Sequence, residues 1–360
     1  MDDTDAMLEA TTLLIPPLLT GIDVLAHAGR HMHPPDIPQL MEELEPYRMP
    51  VKEGLAAFSE VDWPQHLQNF VAHSTRSAEL VMQSFNDFLS AQNQSNPTMA
   101  AYRAMGYNTK ATEAIYPVSS MLPPVSRFFL HAEQRDDETL LQRLADADAS
   151  RENVGVMHAA NASNERGGFS MYVPEYYDGE KVPLIVALHG GSGHGRSFLW
   201  TWLRTARSRN AIVISPTSVE GTWSLMGPDV DSKNIDAMVS YAAEHWNIDT
   251  DRVLLTGMSD GGTFSYVSGM QSDSPFTHLA PSSASFHPML VEVVDAQRIK
   301  DLPIYLMHGA LDWMFPVDVA RSARDALRAA GATVEYREID DLSHTYPTEE
   351  NPRILDWLLA

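Results

Sequence analysis

Between residues 169 and 337 short apolar runs rich in β-branched residues alternate with segments of helical periodicity, and this alternation restricts the possible folds more than any other feature. The runs lie at 169–173, 182–188, 211–215, 253–256, 304–307 and 333–337, and helical patterns fill most of the intervals, at 198–209, 235–246 and 317–330. The run at 182–188 is apolar throughout, as a strand covered on both faces must be. Parallel strands cannot be joined by a tight turn, so strands alternating with helices imply right-handed crossovers. The expected architecture is a mainly parallel sheet with helices on both faces.

The earlier part of the chain obeys a different pattern. From about residue 3 to about residue 149 β-branched runs are almost absent, and apolar residues return at helical spacing, as at Leu67, Phe70, Val71, Ala78, Val81, Phe85 and Leu89. Prolines at 16, 17, 34, 35, 38, 46, 50, 64, 97, 117, 123 and 124 punctuate this half, and each tends to end a helix or start one. Several helices of uneven length are expected, the last over 136–148 with acidic residues in its first turn. A polar stretch then ends in Gly167-Gly168. The sequence thus divides into an all-helical N-terminal domain (1–150), a linker (151–167) and an α/β domain (168–360). The helical domain is expected to act as a cap, as a homo-oligomerisation surface or as a packing extension.

Cysteine is absent, which removes disulfides, thiolate metal sites and a cysteine nucleophile. With 25 basic against 48 acidic residues the formal net charge is -23, which repels polyanions, so nucleic acid is excluded as an expected partner. Met1-Asp2-Asp3 is acidic where a secretory signal starts basic, and the apolar stretch 13–25 is interrupted by Pro16, Pro17 and Asp23. A soluble cytoplasmic protein without stable membrane insertion is expected, the alternative being a chain from which processing has removed a leader.

The strand at 253–256 runs into Gly257-Met258-Ser259-Asp260-Gly261-Gly262, followed by a helical pattern from Thr263. This is G-x-S-x-G in the context of strand, sharp turn and helix, where the flanking positions must be small for strand and helix to pass closely. Ser259 is the candidate nucleophile. A second glycine turn, Leu188-His189-Gly190-Gly191, closes the run at 182–188 and can direct backbone N–H groups at a developing oxyanion. The N–H groups of Gly191 and Asp260 are the candidate oxyanion-hole donors.

A serine hydroxyl is a poor nucleophile until an imidazole takes its proton, and a carboxylate must orient that imidazole. In this architecture acid and histidine follow the serine in that order, on loops after late strands. Asp312 follows the strand at 304–307, and His344 follows the strand at 333–337, so these are the candidate acid and base. Asp301, Asp340 and Asp341 compete as acids and His308 competes as base. Asp301 precedes its strand, and His308 reads as a turn residue at a strand end.

On these motifs residues 168–360 resemble an α/β-hydrolase of the esterase kind, near the phospholipase/carboxylesterase, feruloyl-esterase and polyhydroxybutyrate-depolymerase-like groups. Those groups have a similar L-H-G-G turn, a similar G-x-S-x-G-G and an aspartate ahead of a short stretch ending in proline, here Asp312 to Pro316. The resemblance implies the α/β-hydrolase fold, an acyl-enzyme mechanism and hydrolysis of a small-molecule ester with no cofactor and no metal. Extracellular polyester and feruloyl esterases often carry disulfides, which a chain without cysteine cannot form. The alternatives are a serine peptidase or amidase of the same fold and a non-catalytic hydrolase-like binding protein.

Other polar features have plainer readings. His31 and His33 precede Pro34-Pro35 without a third ligand nearby and read as a surface turn, and Asp231 or Ser232 reads as the cap of the next helix. Trp223 and Trp313, on loops beyond strand ends, are expected to wall the substrate pocket, and His287 to face it.

Overall fold

The computed structural model describes residues 3–148 and 150–360, and the chain divides into two compact units with the break between Arg135 and Asp136. The first unit is built on helices Asp3–Arg30, Ile37–Ser59, Gln68–Leu89 and Pro97–Ile115, with the short helix Pro123–Phe128 and single 3-10 turns between them. Leu14, Leu18, Val51, Phe58, Val81 and Phe85 are buried in its core. Not every proline ends a helix: Pro16 and Pro17 lie inside the first helix, Pro46 and Pro50 inside the second. Pro17 has no N–H to offer Leu13 O, and the second helix brings Gly54 against that oxygen, where a Cβ would lie 2.4 Å away. Only a glycine α-carbon can close on the freed carbonyl, so the helix crossing offsets part of the missing bond. The first helix is long and apolar enough over Thr4–Arg30 to cross a membrane, and 39% of its most apolar window is buried inside the protein.

The second unit starts earlier than the composition suggests. The helix Glu138–Asp146, capped by Asp137 accepting from Leu140 N–H at 3.0 Å, clusters with the α/β part and not with the helical bundle. The segment expected as a linker also carries a strand, β1 (Gly155–Ala159), antiparallel to β2 (Phe169–Val173). Ser170 Oγ ties the pair together, held by His158 Nδ1 at 2.7 Å and Asn161 Nδ2 at 2.8 Å. A five-residue edge strand needs one partner only, and β1 is only partly buried, so it lacks the long apolar run that marks a strand covered on both faces.

The remaining strands are β3 (Val182–Leu188), β4 (Ile212–Pro216), β5 (Ile248–Met258), β6 (His278–Ser282), β7 (Pro303–Gly309) and β8 (Thr333–Ile339), in the order β1-β2-β4-β3-β5-β6-β7-β8. β2 runs antiparallel to β4, while β3 to β8 are parallel. Helices Trp200–Arg209, Ser232–His245, Asp260–Gly269, Val317–Ala329 and Asn351–Leu359 connect or follow them. Every residue of β3 is buried, which accounts for its uninterrupted apolar sequence. From β3 the chain goes outward to β4, then returns to β5 on the other side of β3. Connections on either side of that point leave in opposite directions, which opens a crevice at the C-terminal ends of β3 and β5. The register pairs Leu188 with Gly257 there, so the two glycine turns emerge side by side.

Candidate active site

Ser259 follows β5 directly and precedes the helix Asp260–Gly269, with φ 56° and ψ -119°. A side chain is strained in this region, and neighbouring elements must hold it there. The Ser259 N–H donates to Ser282 O of β6 at 3.0 Å, and a Cβ at Gly261 would lie 2.4 Å from His189 O and 2.5 Å from Leu188 O. The small flanking residues are thus required by the backbone of β3 passing across the turn.

His344 Nε2 lies 3.0 Å from Ser259 Oγ, and His344 Nδ1 lies 2.9 Å from Asp312 Oδ2 and 3.0 Å from Oδ1. An Nδ1–H donated to the carboxylate leaves Nε2 free to accept the serine proton. All three residues are buried, the serine being 8% exposed. The loops carrying acid and base are stitched together by Ala310 N–H to Ile339 O at 2.9 Å and Leu311 N–H to Leu342 O at 3.0 Å. Two residues past the base, Tyr346 accepts from Trp202 Nε1–H at 2.9 Å and donates to Asn351 Oδ1 at 3.1 Å, which anchors the His344 loop to two helices.

Asp312 Oδ1 accepts from the N–H groups of Met314 (2.9 Å) and Phe315 (2.8 Å). Burial works against its charge, yet the hydrogen bonds from His344 and the Phe315 N–H prevail and hold the carboxyl below the usual carboxylate range. His308, expected as a turn residue and a rival base, is part of this support. It is fully buried, donates Nε2–H to Phe315 O at 2.8 Å and lies 3.5 Å from Asp312 Oδ2, and burial lowers its pKa. The signal in the sequence is its place four residues before Asp312, across a turn closed by Asp312 N–H to Gly309 O at 3.2 Å. The rival acids Asp301, Asp340 and Asp341 are exposed.

On the other side of the serine, Gly190 O is held by His189 Nδ1–H at 2.7 Å and by Gly193 N–H at 3.0 Å. In a trans peptide N–H and C=O point in opposite directions, so fixing the Gly190 carbonyl turns the Gly191 N–H away from His189. A Cβ at Gly190 would sit 3.5 Å from Ser259 Cβ, so this turn lies against the serine. The Asp260 N–H is the first of its helix, with no carbonyl one turn upstream to receive it. Both expected donors therefore border the nucleophile. His189 Nε2 accepts from Ser218 N–H at 3.1 Å, and burial pushes its pKa down to about 4, so the ring is neutral.

Trp223 does not wall a pocket. It is 3% exposed, donates Nε1–H to His189 O at 2.7 Å and stacks on Phe264 at 5.5 Å, because the loop after β4 folds back beneath the glycine turn. Arg166 ties this loop to the glycine turn, donating to Ser218 O at 3.1 Å and Gly193 O at 3.2 Å. Asp231 does not cap its helix through its side chain; its carboxylate accepts from the N–H groups of Val219 and Ser224, and Asp229 caps instead, accepting from Ser232 N–H at 2.9 Å. His287 is exposed and accepts from Met289 N–H at 3.2 Å, starting the short helix Met289–Val293. Trp313 stands 44% exposed beside Asp312. In the first unit His31 and His33 lie in the turn after the first helix, which ends at Arg30, His33 pairing with Asp36 at 3.2 Å, and no metal-holding group of three or more ligands occurs among the described residues.

Residues 229–359 match the phospholipase/carboxylesterase family model. A curated relative, a bifunctional acetylxylan esterase/xylanase of Neocallimastix patriciarum, is 28% identical over 178 residues, which span 47% of this chain and 25% of the relative's length. Among solved structures, a thermostable esterase is 21% identical over 57% of this chain and 61% of its own, with TM-score 0.45. A fluorophosphonate-binding serine hydrolase of Staphylococcus aureus is 14% identical over 57% of this chain and 97% of its own, with TM-score 0.46.

Proposed function

We propose that the unit from residue 136 onward, whose residues 229–359 match the phospholipase/carboxylesterase family model, is an α/β-hydrolase that cleaves carboxylic esters through an acyl-enzyme formed on Ser259. The observation that carries this reading is the relay of Ser259 Oγ to His344 Nε2 at 3.0 Å and His344 Nδ1 to Asp312 Oδ2 at 2.9 Å. His344 takes the hydroxyl proton as Oγ attacks the carbonyl carbon, and Asp312 stabilises the imidazolium that results. The carbonyl π electrons move to oxygen, and the backbone N–H groups of Gly191 and Asp260 receive the oxyanion. Such a donor is worth about 10²–10³ in turnover. Collapse of the tetrahedral adduct expels the alcohol, which leaves with the proton from His344. Water then attacks the acyl-enzyme with the same histidine as base, releasing the acid and restoring Ser259.

The reading is tested by hydrolysis of short p-nitrophenyl esters by the wild type and by Ser259→Ala, alongside the matching p-nitroanilides. Ester turnover that disappears with the substitution supports it. Turnover that survives would show that Ser259 is not the nucleophile. A wild type inert toward every ester favours a binding protein, and one preferring anilides favours an amidase.

A further inference from the structure

Asp260, proposed above as the second oxyanion donor through its backbone, carries a carboxylate that lies against the other donor residue, Gly191. Its Oδ2 accepts from Thr222 Oγ1 at 2.6 Å and would lie 2.7 Å from a Cβ built on Gly191. The carboxylate therefore rests over the α-carbon of the other oxyanion residue, and neither residue is buried. A negative charge beside Gly191 acts by Coulomb repulsion on any negative charge that a bound substrate carries past that residue.

The surrounding loops carry the same sign. Residues 217–231, 283–294 and 309–316, which leave the C-terminal ends of β4, β6 and β7, contain no lysine or arginine. Their exposed large side chains include Met226, Met289, Val293, Leu311, Trp313 and Met314, and Glu220 and Glu292 add charge of one sign only. Arg166 is a cation that reaches this region, its guanidinium fixed on the carbonyls of Ser218 and Gly193 and so not free to move to a bound substrate.

We infer that the Asp260 carboxylate is a specificity-determining group, which makes the site select uncharged esters with apolar substituents over anionic esters of the same size. This inference rests on the ester-hydrolase reading, because bonding of the carbonyl oxygen at Gly191 and Asp260 is what holds the acyl chain near the carboxylate. A charge several carbons along that chain stays within about 7 Å of the carbonyl carbon. Like charges about 7 Å apart in a partly buried site repel enough to change a rate constant by tenfold or more, which sets the scale for an acyl chain that runs past Gly191 beside the Asp260 carboxylate.

The test compares p-nitrophenyl pentanoate with mono-p-nitrophenyl glutarate, whose terminal carboxylate replaces the methyl group, after subtraction of the uncatalysed rate. In the wild type kcat/KM for the neutral ester should exceed that for the anion by about tenfold or more. Asp260→Asn keeps an acceptor for Thr222 and removes the charge, and should shrink the ratio by about tenfold. Thr222→Val removes the hydrogen bond and keeps the charge, so its ratio should stay within about twofold of wild type. Raising salt should narrow the ratio in the wild type and leave it unmoved in Asp260→Asn. A wild-type ratio near one, or one insensitive to both salt and Asp260→Asn, overturns the inference. If neither ester is turned over, or Ser259→Ala still hydrolyses both, the ester-hydrolase reading has failed and the charge selection falls with it. Turnover that depends on Ser259 with an unmoved ratio refutes the charge selection alone.

Discussion

His189→Leu tests whether the geometry behind the serine governs turnover. The substitution removes the Nδ1–H bond to Gly190 O, 2.7 Å, and the acceptor for Ser218 N–H, 3.1 Å. Ser218 is fully buried, so its stranded N–H costs about 1–3 kcal/mol of stability. The catalytic effect is bounded by what remains: Gly193 N–H still holds Gly190 O at 3.0 Å, and Trp223 still holds His189 O. Losing an oxyanion donor outright costs about 10²–10³, so loosening one of two restraints should lower kcat by about 10–100-fold. The substrate carbonyl barely uses these donors before attack, so KM should stay within about threefold. Steady-state kinetics on p-nitrophenyl butyrate, with folding checked by circular dichroism, measures both. Retention of kcat within twofold by a folded variant, or a loss confined to KM, would refute the reasoning. The same residue has a pH signature. Its folded pKa, about 4, lies below the unfolded value, so neutral His189 costs nothing above about pH 6.5, and stability drains away as pH falls from there to about 4. Wild type should lose up to about 3 kcal/mol more than His189→Leu across that window.

Three further outcomes are expected. Asp312→Asn cannot fix the His344 tautomer and should lower kcat by about 10⁴ in p-nitrophenyl ester assays. Since the Asp312 carboxyl is held below the usual range, its stabilisation is present above about pH 4 and lost as pH falls through the lowered folded value, so the variant's acid unfolding profile should lack that component. Gly261→Ala would drive a Cβ against two carbonyl oxygens of the β3 turn that belong to backbone, and should cost about 3 kcal/mol or more by denaturant unfolding. Tyr346→Phe strands buried Trp202 Nε1 and unpins the His344 loop. It should cost about 1–3 kcal/mol and lower kcat more than it alters KM.

That Ser259, Asp312 and His344 come together was legible because each stands at a fixed offset from a strand end, and strands in a parallel sheet end on one edge. What escaped the sequence depends on folds of the chain with no period. The loop after β4 has no regular structure, so nothing local says that Trp223 tucks beneath the glycine turn while Trp313 stays in solvent. β1 was missed because Gly155–Ala159 buries too little to need an apolar run. Pro16 and Pro17 were read as breaks, but the first helix runs through both with Leu13 O packed against Gly54, forty residues away, a contact no local pattern encodes. His308 resembled a turn residue because its role exists only once Asp312 and Phe315 close over it.

The backbone torsion at Ser259 has an evolutionary consequence. At φ 56° and ψ -119° glycine rests without strain, whereas any side chain costs about 1–3 kcal/mol. A duplicated gene relieved of selection for turnover would gain stability by drifting to glycine at this one codon. Its product would keep the sheet, both glycine turns and the apolar loops, and so would still receive esters without cleaving them. Conversion of such a hydrolase into a receptor for its former substrates is therefore downhill in folding free energy, and only continued demand for the chemistry holds the serine in place.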